Sequence, residues 1–516
     1  MKIGIDVGGT NTDAVIIDGK KVKASIKTAT TPNVLDGIVT ALKSMLKHET
    51  PDKIESVMLG TTHFANALVE GKRLSKTAVV RLGYPYGQAL PPFVNFPEHL
   101  KTHMKGPIYI LPGGHEFDGR EITPFDACKV EEAAKEIASA GIHTVAVASP
   151  FSPVNSELEK QTAVILKRHI PNVRLTMSAE IGSVGLLERE NAAILNASLL
   201  PLADEIVDAL DETLKGLGLD CPFYLTQNDG TLMNVDFAKK YPVLTIASGP
   251  TNSMRGAAYL SGKEDALVID VGGTTADVGV LVNGFPRPAA TITEIADVRT
   301  NFRMPDVYSL GLGGGTKVQY TSGKEPVIGP ESTGSHIREE AFVFGGNTLT
   351  MTDVIAAADI HVLGEKENVP LSQAEAHDIL HHSEEMVSKI VDRMKPSKEA
   401  IPAILVGGGS IIIPTLEKGI SEVVRPEHFS VANAIGAAIS QVGGEIDQIF
   451  SLDGVSRETV VQKAKEEATK QAVTAGADPD TVEIVEFAEV PLAYLPGNAS
   501  RFLVKAVGDL KGDDAS

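Results

Sequence analysis

The sequence predicts an α/β protein in which one strand-turn-strand unit occurs twice. Two observations predict it: an internal repeat, and a regular alternation of short apolar runs with amphipathic stretches. The repeat sets I-G-I-D-V-G-G-T-N-T-D-A-V-I-I at Ile3 to Ile17 over L-V-I-D-V-G-G-T-T-A-D-V-G-V-L at Leu267 to Leu281. Asp6, Val7, Gly8, Gly9, Thr10 and Asp13 thereby return as Asp270, Val271, Gly272, Gly273, Thr274 and Asp277. In each copy an apolar run ends in a two-glycine turn and a second apolar run comes back as its hairpin partner.

The remaining elements follow in order. After the first hairpin, Asn33 to Leu46 has helical periodicity, Ser56 to Leu59 and Thr77 to Val80 are strand-like, and Val130 to Ala140 is an amphipathic helix. Thr144 to Ser149 is a buried strand, and Leu186 to Leu214 forms one or two long helices able to bridge the halves. The second half adds the strand Ala266 to Asp270, the glycine-rich Gly311 to Gly315, helices at Thr352 to Leu363 and Ser372 to Met394, and the strand Ala403 to Val406 ahead of Gly407, Gly408 and Gly409. Ser430 to Val442, small and apolar, reads as a tightly packed helix. A charged helix at Arg457 to Ala475 and strands at Val482 to Ala488 and Ser500 to Val507 look like an appended α+β piece, with Gly512 to Ser516 frayed. The expected division is 1–190, 191–450 and 451–516, consistent with a soft prior of about 150 residues per domain.

Composition narrows the function classes. The 516 residues are 43% hydrophobic and 22% charged, the balance of a folded α/β protein. A formal net charge of -20 repels polyanions, so neither nucleic acid nor an anionic membrane is an expected partner. Cys128 and Cys221 sit in no metal-binding spacing and are expected as reduced thiols. Met1 runs directly into a strand-like segment with no leader pattern, and no apolar run reaches the roughly 18 residues of a bilayer span, so a cytoplasmic location is expected.

The repeated turns carry the chemistry. Holding a triphosphate requires backbone N–H groups close to its oxygens, and glycines give that approach because no Cβ stands in the way. Thr10, Asn11, Thr274 and Thr275 add hydroxyl or amide hydrogen bonds, while Asp6 and Asp270 can hold Mg²⁺ through its waters. Neither repeat has the Lys and following helix of a Walker loop, nor the pattern of a dinucleotide fingerprint. Two facing strand-turn-strand loops instead predict duplicated ribonuclease-H-like domains of the actin, sugar-kinase and heat-shock-chaperone ATPase class, binding ATP with Mg²⁺. Gly313 and Gly314 are expected at the nucleotide, and Gly407, Gly408 and Gly409 at its adenosine. Asp306 is a candidate general base, with Asp13 its rival; the recurrence of Asp13 as Asp277 fits a structural hairpin role equally well.

D-V-G-G-T-N-T-D at the start, L-G-T-T-H-F-A-N-A-L at Leu59 to Leu68, E-R-E-N-A-A-I-L-N-A at Glu188 to Ala197 and D-V-G-G-T-T-A-D-V at Asp270 to Val278 resemble the hydantoinase A and 5-oxoprolinase family. S-G-P at Ser248 to Pro250, G-L-G-G-G-T at Gly311 to Thr316 and M-T-D at Met351 to Asp353 extend the likeness to about residue 450. The resemblance implies an ATP-dependent amidohydrolase of the A type, opening a hydantoin or a 5-oxoproline-like lactam by phosphorylating the amide oxygen. It also implies a separate partner subunit that completes hydrolysis; self-association stays open.

Substrate-side candidates are Thr61, Thr62, His63 and Asn66, just after a strand, and His115 and Glu116 in a polar loop. The first group fits a capped helix start as well as a ring contact, and the second fits a solvated turn. Two other functions share the same motifs: a small-molecule kinase of this fold, and a non-catalytic ATP switch in which domain closure acts on a partner.

Overall fold

The structure, a computed structural model, describes residues 1–31, 34–289, 293–321, 323–492 and 498–510. Asn33 and the C-terminal Gly512 to Ser516 lie outside the described residues.

The repeat in the sequence is a repeat in register. Lys2–Val7 pairs antiparallel with Asn11–Asp18 so that Asp6 stands opposite Asp13, and Ala266–Val271 pairs with Ala276–Val282 so that Asp270 stands opposite Asp277. Each first strand then takes a parallel neighbour on its other side, Ser56–Gly60 in one half and Ile401–Val406 in the other. A parallel neighbour requires a crossover connection, and parallel strands buried on both faces read as unbroken apolar runs; Ser56–Gly60 and the last four residues of Ile401–Val406 are buried.

The first unit grows into a nine-stranded sheet, which runs from Lys21–Ala29 at one edge through Asn11–Asp18, Lys2–Val7, Ser56–Gly60, Phe223–Thr226, Leu232–Asn234, Val442–Phe450 and Ser500–Gly508 to Glu483–Pro491. The expected boundaries at 190 and 450 cut across this sheet. Its outer strands come from the segment beyond 450, and their partner Val442–Phe450 follows the helix Ala432–Ile439, which ends short of the Val442 expected from composition. Arg457–Ala475 lays a stripe of Ala464, Ala468, Ala472 and Ala475 on those strands, and Gly444 lets its backbone come close.

The second unit forms the six-stranded sheet, in which Val307–Leu310 joins Ala276–Val282. The helices Met351–Ala357 and Gln373–Met394 fill its core. A third sheet, Lys105–Pro112, Thr77–Tyr84, Thr144–Ala148 and Arg174–Met177, is parallel throughout and inserted between strands of the first.

One 31-residue helix, Leu186–Gly216, ties the inserted sheet to the first sheet. Arg189, Glu190 and Asn191 near its start are buried: Arg81 of the inserted sheet donates to Glu190, and Arg189 donates to the Ser149 carbonyl at 2.5 Å. Paired charges and hydrogen bonds are what make such burial tolerable. These residues are structural ties between elements.

The two hairpin units meet through the helices Ser248–Ser261 and Ala432–Ile439. A Cβ on Gly256 would overlap the Ala432 carbonyl, and one on Gly436 would overlap the Asn252 carbonyl, so small residues set the helix spacing. Both helices begin beside the glycine turns of the hairpins, and that position brings their side chains to the cleft between them.

Candidate active site

A cleft of about 340 Å³ opens between the two hairpins, lined by Asp6, Gly8, Gly9, Thr10 and Asn11 from the first and by Asp270, Gly272, Gly273, Thr274 and Thr275 from the second. A Cβ placed on Gly273 would stand 3.0 Å from the Thr10 hydroxyl, so the turns face each other at close range. Each turn is closed by its own backbone: Gly8 N–H donates to the Asn11 carbonyl and Gly272 N–H to the Thr275 carbonyl, both at 2.9 Å.

The carboxylates are clamped by residues from the two helices. Asp6 accepts from Asn252 at 2.8 Å and from Asn433 at 3.0 Å, and Asn433 also donates to Asp13 at 2.9 Å. Asp270 accepts from Ser253 at 2.5 Å. Asp13 is held by Lys27, its cross-strand neighbour, at 2.6 Å. Burial pushes the Asp6 carboxyl up to about 6, the amides of Asn252 and Asn433 pull it back, and the charges of Asp13 and Asp270 push it further. Asp13 and Asp270 are raised by burial as well, and Asp277, hydrogen-bonded to Ser309, is raised to about 6 for the same reason. Four acids around one cavity thus form a site that gains from a cation.

The expected residues divide into those the cleft gathers and those it does not. Gly407 and Gly408 line it, and Gly407 has φ +82 with its Cα against the Asp270 carboxylate, where any Cβ would overlap Oδ1. Gly60, at the matching strand end of the first half, lies against the Asp6 carboxylate in the same way. Gly409 turns aside and donates to the Val271 carbonyl at 2.8 Å. Gly313 and Gly314 lie behind the second hairpin: Gly314 N–H donates to the Gly272 carbonyl at 3.1 Å, and Gly315 N–H to the Gly273 carbonyl at 2.7 Å. They brace the second glycine turn and do not line the cleft. Asp306 is also elsewhere, paired with Arg287 at 2.7 Å, which removes the geometric basis for its role as general base.

Thr61 and Thr62 line the cleft, whereas His63 and Asn66 do not. His63 Nδ1 lies 2.6 Å from the Thr61 hydroxyl, and burial together with the charge of Arg73 lowers its pKa to about 4, so the imidazole is neutral at physiological pH. His115 and Glu116 lie in the loop after the strand Lys105–Pro112 and do not line the cleft: His115 Nε2 accepts from Asn155 at 3.2 Å, and the Glu116 N–H donates to the Arg120 carbonyl.

Sequence reading missed Asn252, Ser253, Asn433 and Lys27. A polar residue inside the small, apolar A-N-A-I-G-A-A segment was the available signal for Asn433, and S-G-P marked the helix start carrying Asn252 and Ser253.

The duplicated hairpins and the cleft between them define a protein of the actin, sugar-kinase and heat-shock-chaperone ATPase fold class. Residues 2–170 match the hydantoinase/oxoprolinase N-terminal region and residues 189–360 match the hydantoinase/oxoprolinase domain, and the chain belongs to that family. It is 24% identical over 472 residues to the caprolactamase subunit alpha of Pseudomonas jessenii, covering 85% of this chain and 65% of that protein. It is 27% identical over 384 residues to the acetophenone carboxylase gamma subunit of Aromatoleum aromaticum, covering 68% and 52%. The chain thus spans less than two thirds of the length of these curated relatives. The crystal structure of an ATP-dependent caprolactamase from Pseudomonas jessenii superimposes with a TM-score of 0.80 at 18% identity, over 99% of this chain and 88% of that one, and shares its fold.

Proposed function

We propose that the chain is the nucleotide-binding, A-type subunit of an ATP-dependent enzyme that opens a cyclic amide of the hydantoin or lactam class. The observation that carries this reading is the pair of Asp-Val-Gly-Gly-Thr hairpins facing one another across a single cleft, in a chain of the hydantoinase/oxoprolinase family. The turn glycines Gly9 and Gly272 leave open space where a Cβ would stand, with nothing within 4 Å at Gly9 and no atom closer than 3.7 Å at Gly272, which fits a cradle for phosphate oxygens, and buried carboxylates with raised affinity for protons fit a hard divalent cation. Among the described residues no three His, Cys, Asp or Glu side chains gather at one metal position, so Asp6 and Asp270 would hold Mg²⁺ through water and phosphate oxygens. When bound, the ion supplies charge neutralisation to the triphosphate.

A resonance-stabilised amide is a poor electrophile. Transfer of the terminal phosphoryl group breaks the phosphorus–oxygen bond to ADP and forms a new one to the amide oxygen. Water then adds to the amide carbon, the ring C–N bond breaks with a proton passing to the departing nitrogen, and a second water hydrolyses the resulting acyl phosphate to carboxylate and phosphate. In this reading the turn N–H groups of both hairpins orient the phosphates, and Thr61 and Thr62, which line the cleft just after the strand beside Asp6, meet the acceptor. A partner subunit completes hydrolysis in this scheme.

The likeness to an acetophenone carboxylase subunit favours a second reading, in which the phosphorylated acceptor leads to carboxylation. Purified chain with its candidate partner, supplied with Mg-ATP and a panel of hydantoins and lactams, or with ketones and bicarbonate, separates the two. ADP formed in proportion to ring-opened product supports the amide reading. A carboxylated product supports the second, a stable phosphorylated product would mean a kinase, and ADP release indifferent to every acceptor would mean a switch protein.

A further inference from the structure

The cleft has a charge problem that one residue can solve. Asp6, Asp13, Asp270 and Asp277 all line it, and among the described lining residues the cation is Lys27. A triphosphate adds further negative charge, so a divalent ion has both the acids and the phosphates to offset.

Lys27 sits where it can help. It lies on the edge strand Lys21–Ala29, directly opposite Asp13, with Nζ 2.6 Å and 2.8 Å from the two carboxylate oxygens, and its side chain, 35% exposed, is part of the cleft lining. Its charge also reaches across to Asp270, whose carboxyl it holds down against burial. Asp13 does not depend on Lys27 alone, since Asn433 donates to the same carboxylate at 2.9 Å. The lysine is therefore free to give up one oxygen. Gly407 and Gly408, the expected adenosine contacts, belong to the second half and Lys27 to the first, so a triphosphate running from those glycines across the cleft points its last phosphate toward the half that carries Lys27.

We propose that Lys27 contacts the terminal phosphoryl group of the bound nucleotide, exchanging one Asp13 oxygen for a phosphate oxygen. The proposal rests on the nucleotide reading of the cleft. A lysine ammonium acts on phosphate as a compact point charge with rotatable donors, and the flexible stem permits the exchange. The residue then favours the triphosphate over the diphosphate, and follows charge onto the group being transferred.

The test is calorimetric titration of wild type and Lys27→Met with Mg-ADP and with the non-hydrolysable β,γ-imido analogue of ATP. Loss of one charged hydrogen bond is expected to weaken the analogue about 10- to 100-fold and to leave ADP within about threefold. Equal weakening of both nucleotides, or of neither, would overturn the proposal. If wild type binds neither nucleotide, the reading of the cleft itself falls, which is a different result from a Lys27→Met protein that matches wild type. The double variant Asp13→Asn/Lys27→Met removes the buried acid that the single variant leaves underpaired. It is expected to melt near wild type and still lack the preference for the analogue; a restored preference would show that Lys27 serves only to hold Asp13.

Discussion

Replacing Asp6 with Asn should make the empty protein more stable at neutral pH while abolishing nucleotide binding. Burial raises the Asp6 carboxyl from 3.8 to about 6. Between those values the folded state keeps a proton that the unfolded chain has released, so the contribution of this group to stability falls as pH rises from about 4 to about 6 and stays low above. About two pH units correspond to roughly 3 kcal/mol of cost for the ionised form. An amide carries no such cost. The hydrogen bonds need little rearrangement, because Asn252 Oδ1 is buried without a partner and a rotated Asn252 amide can accept from the introduced one. Urea unfolding of wild type and Asp6→Asn, without nucleotide or divalent cation, at several values between pH 4 and 7.5 measures the difference. The variant should gain on wild type by up to about 3 kcal/mol across that range. A difference that stays constant with pH would refute the reasoning, because it would mean that Asp6 titrates alike in both states.

In wild type, binding of Mg-ADP should weaken about tenfold per unit as pH falls below about 6, because the form of Asp6 able to hold a hydrated cation is being lost; titration from pH 7.5 to 5 reads this directly. Gly407→Ala forces a Cβ into the Asp270 carboxylate at a positive φ and should cost more than about 2 kcal/mol in stability. Gly408→Ala meets nothing within 4 Å and should melt close to wild type, so similar melts for both would contradict the packing at Gly407. Arg81→Met leaves Glu190 buried without its cation and should destabilise by about 3–5 kcal/mol. Adding Glu190→Leu should recover much of that loss, and a double variant as unstable as the single would argue against the pair as the cause.

The hairpins were legible because everything that makes them lies within fifteen consecutive residues: an apolar run, an acid at its end, two glycines and a returning run. Covalent neighbours impose that geometry, and the register observed for Asp6 and Asp270 follows directly. Gly313, Gly314 and Asp306 show where such reading stops. A glycine run looks the same whether its backbone faces a ligand or braces another loop, and here Gly314 and Gly315 bond the carbonyls of Gly272 and Gly273. Asp306 was a plausible base until its partner Arg287 was in view.

The sequence by itself determined the duplicated unit, its paired glycine turns and the family, since each is written in a contiguous motif. Tertiary structure alone decided which side chains complete the site. Asn433 reaches Asp6 across 427 residues of chain, Asn252 across 246, and strands beyond residue 450 finish the sheet that begins at Lys2. Sheet pairing and helix packing bring distant segments together through contacts whose energy leaves no trace in local periodicity, so the clamp on Asp6 appears only once the two small-residue helices lie side by side.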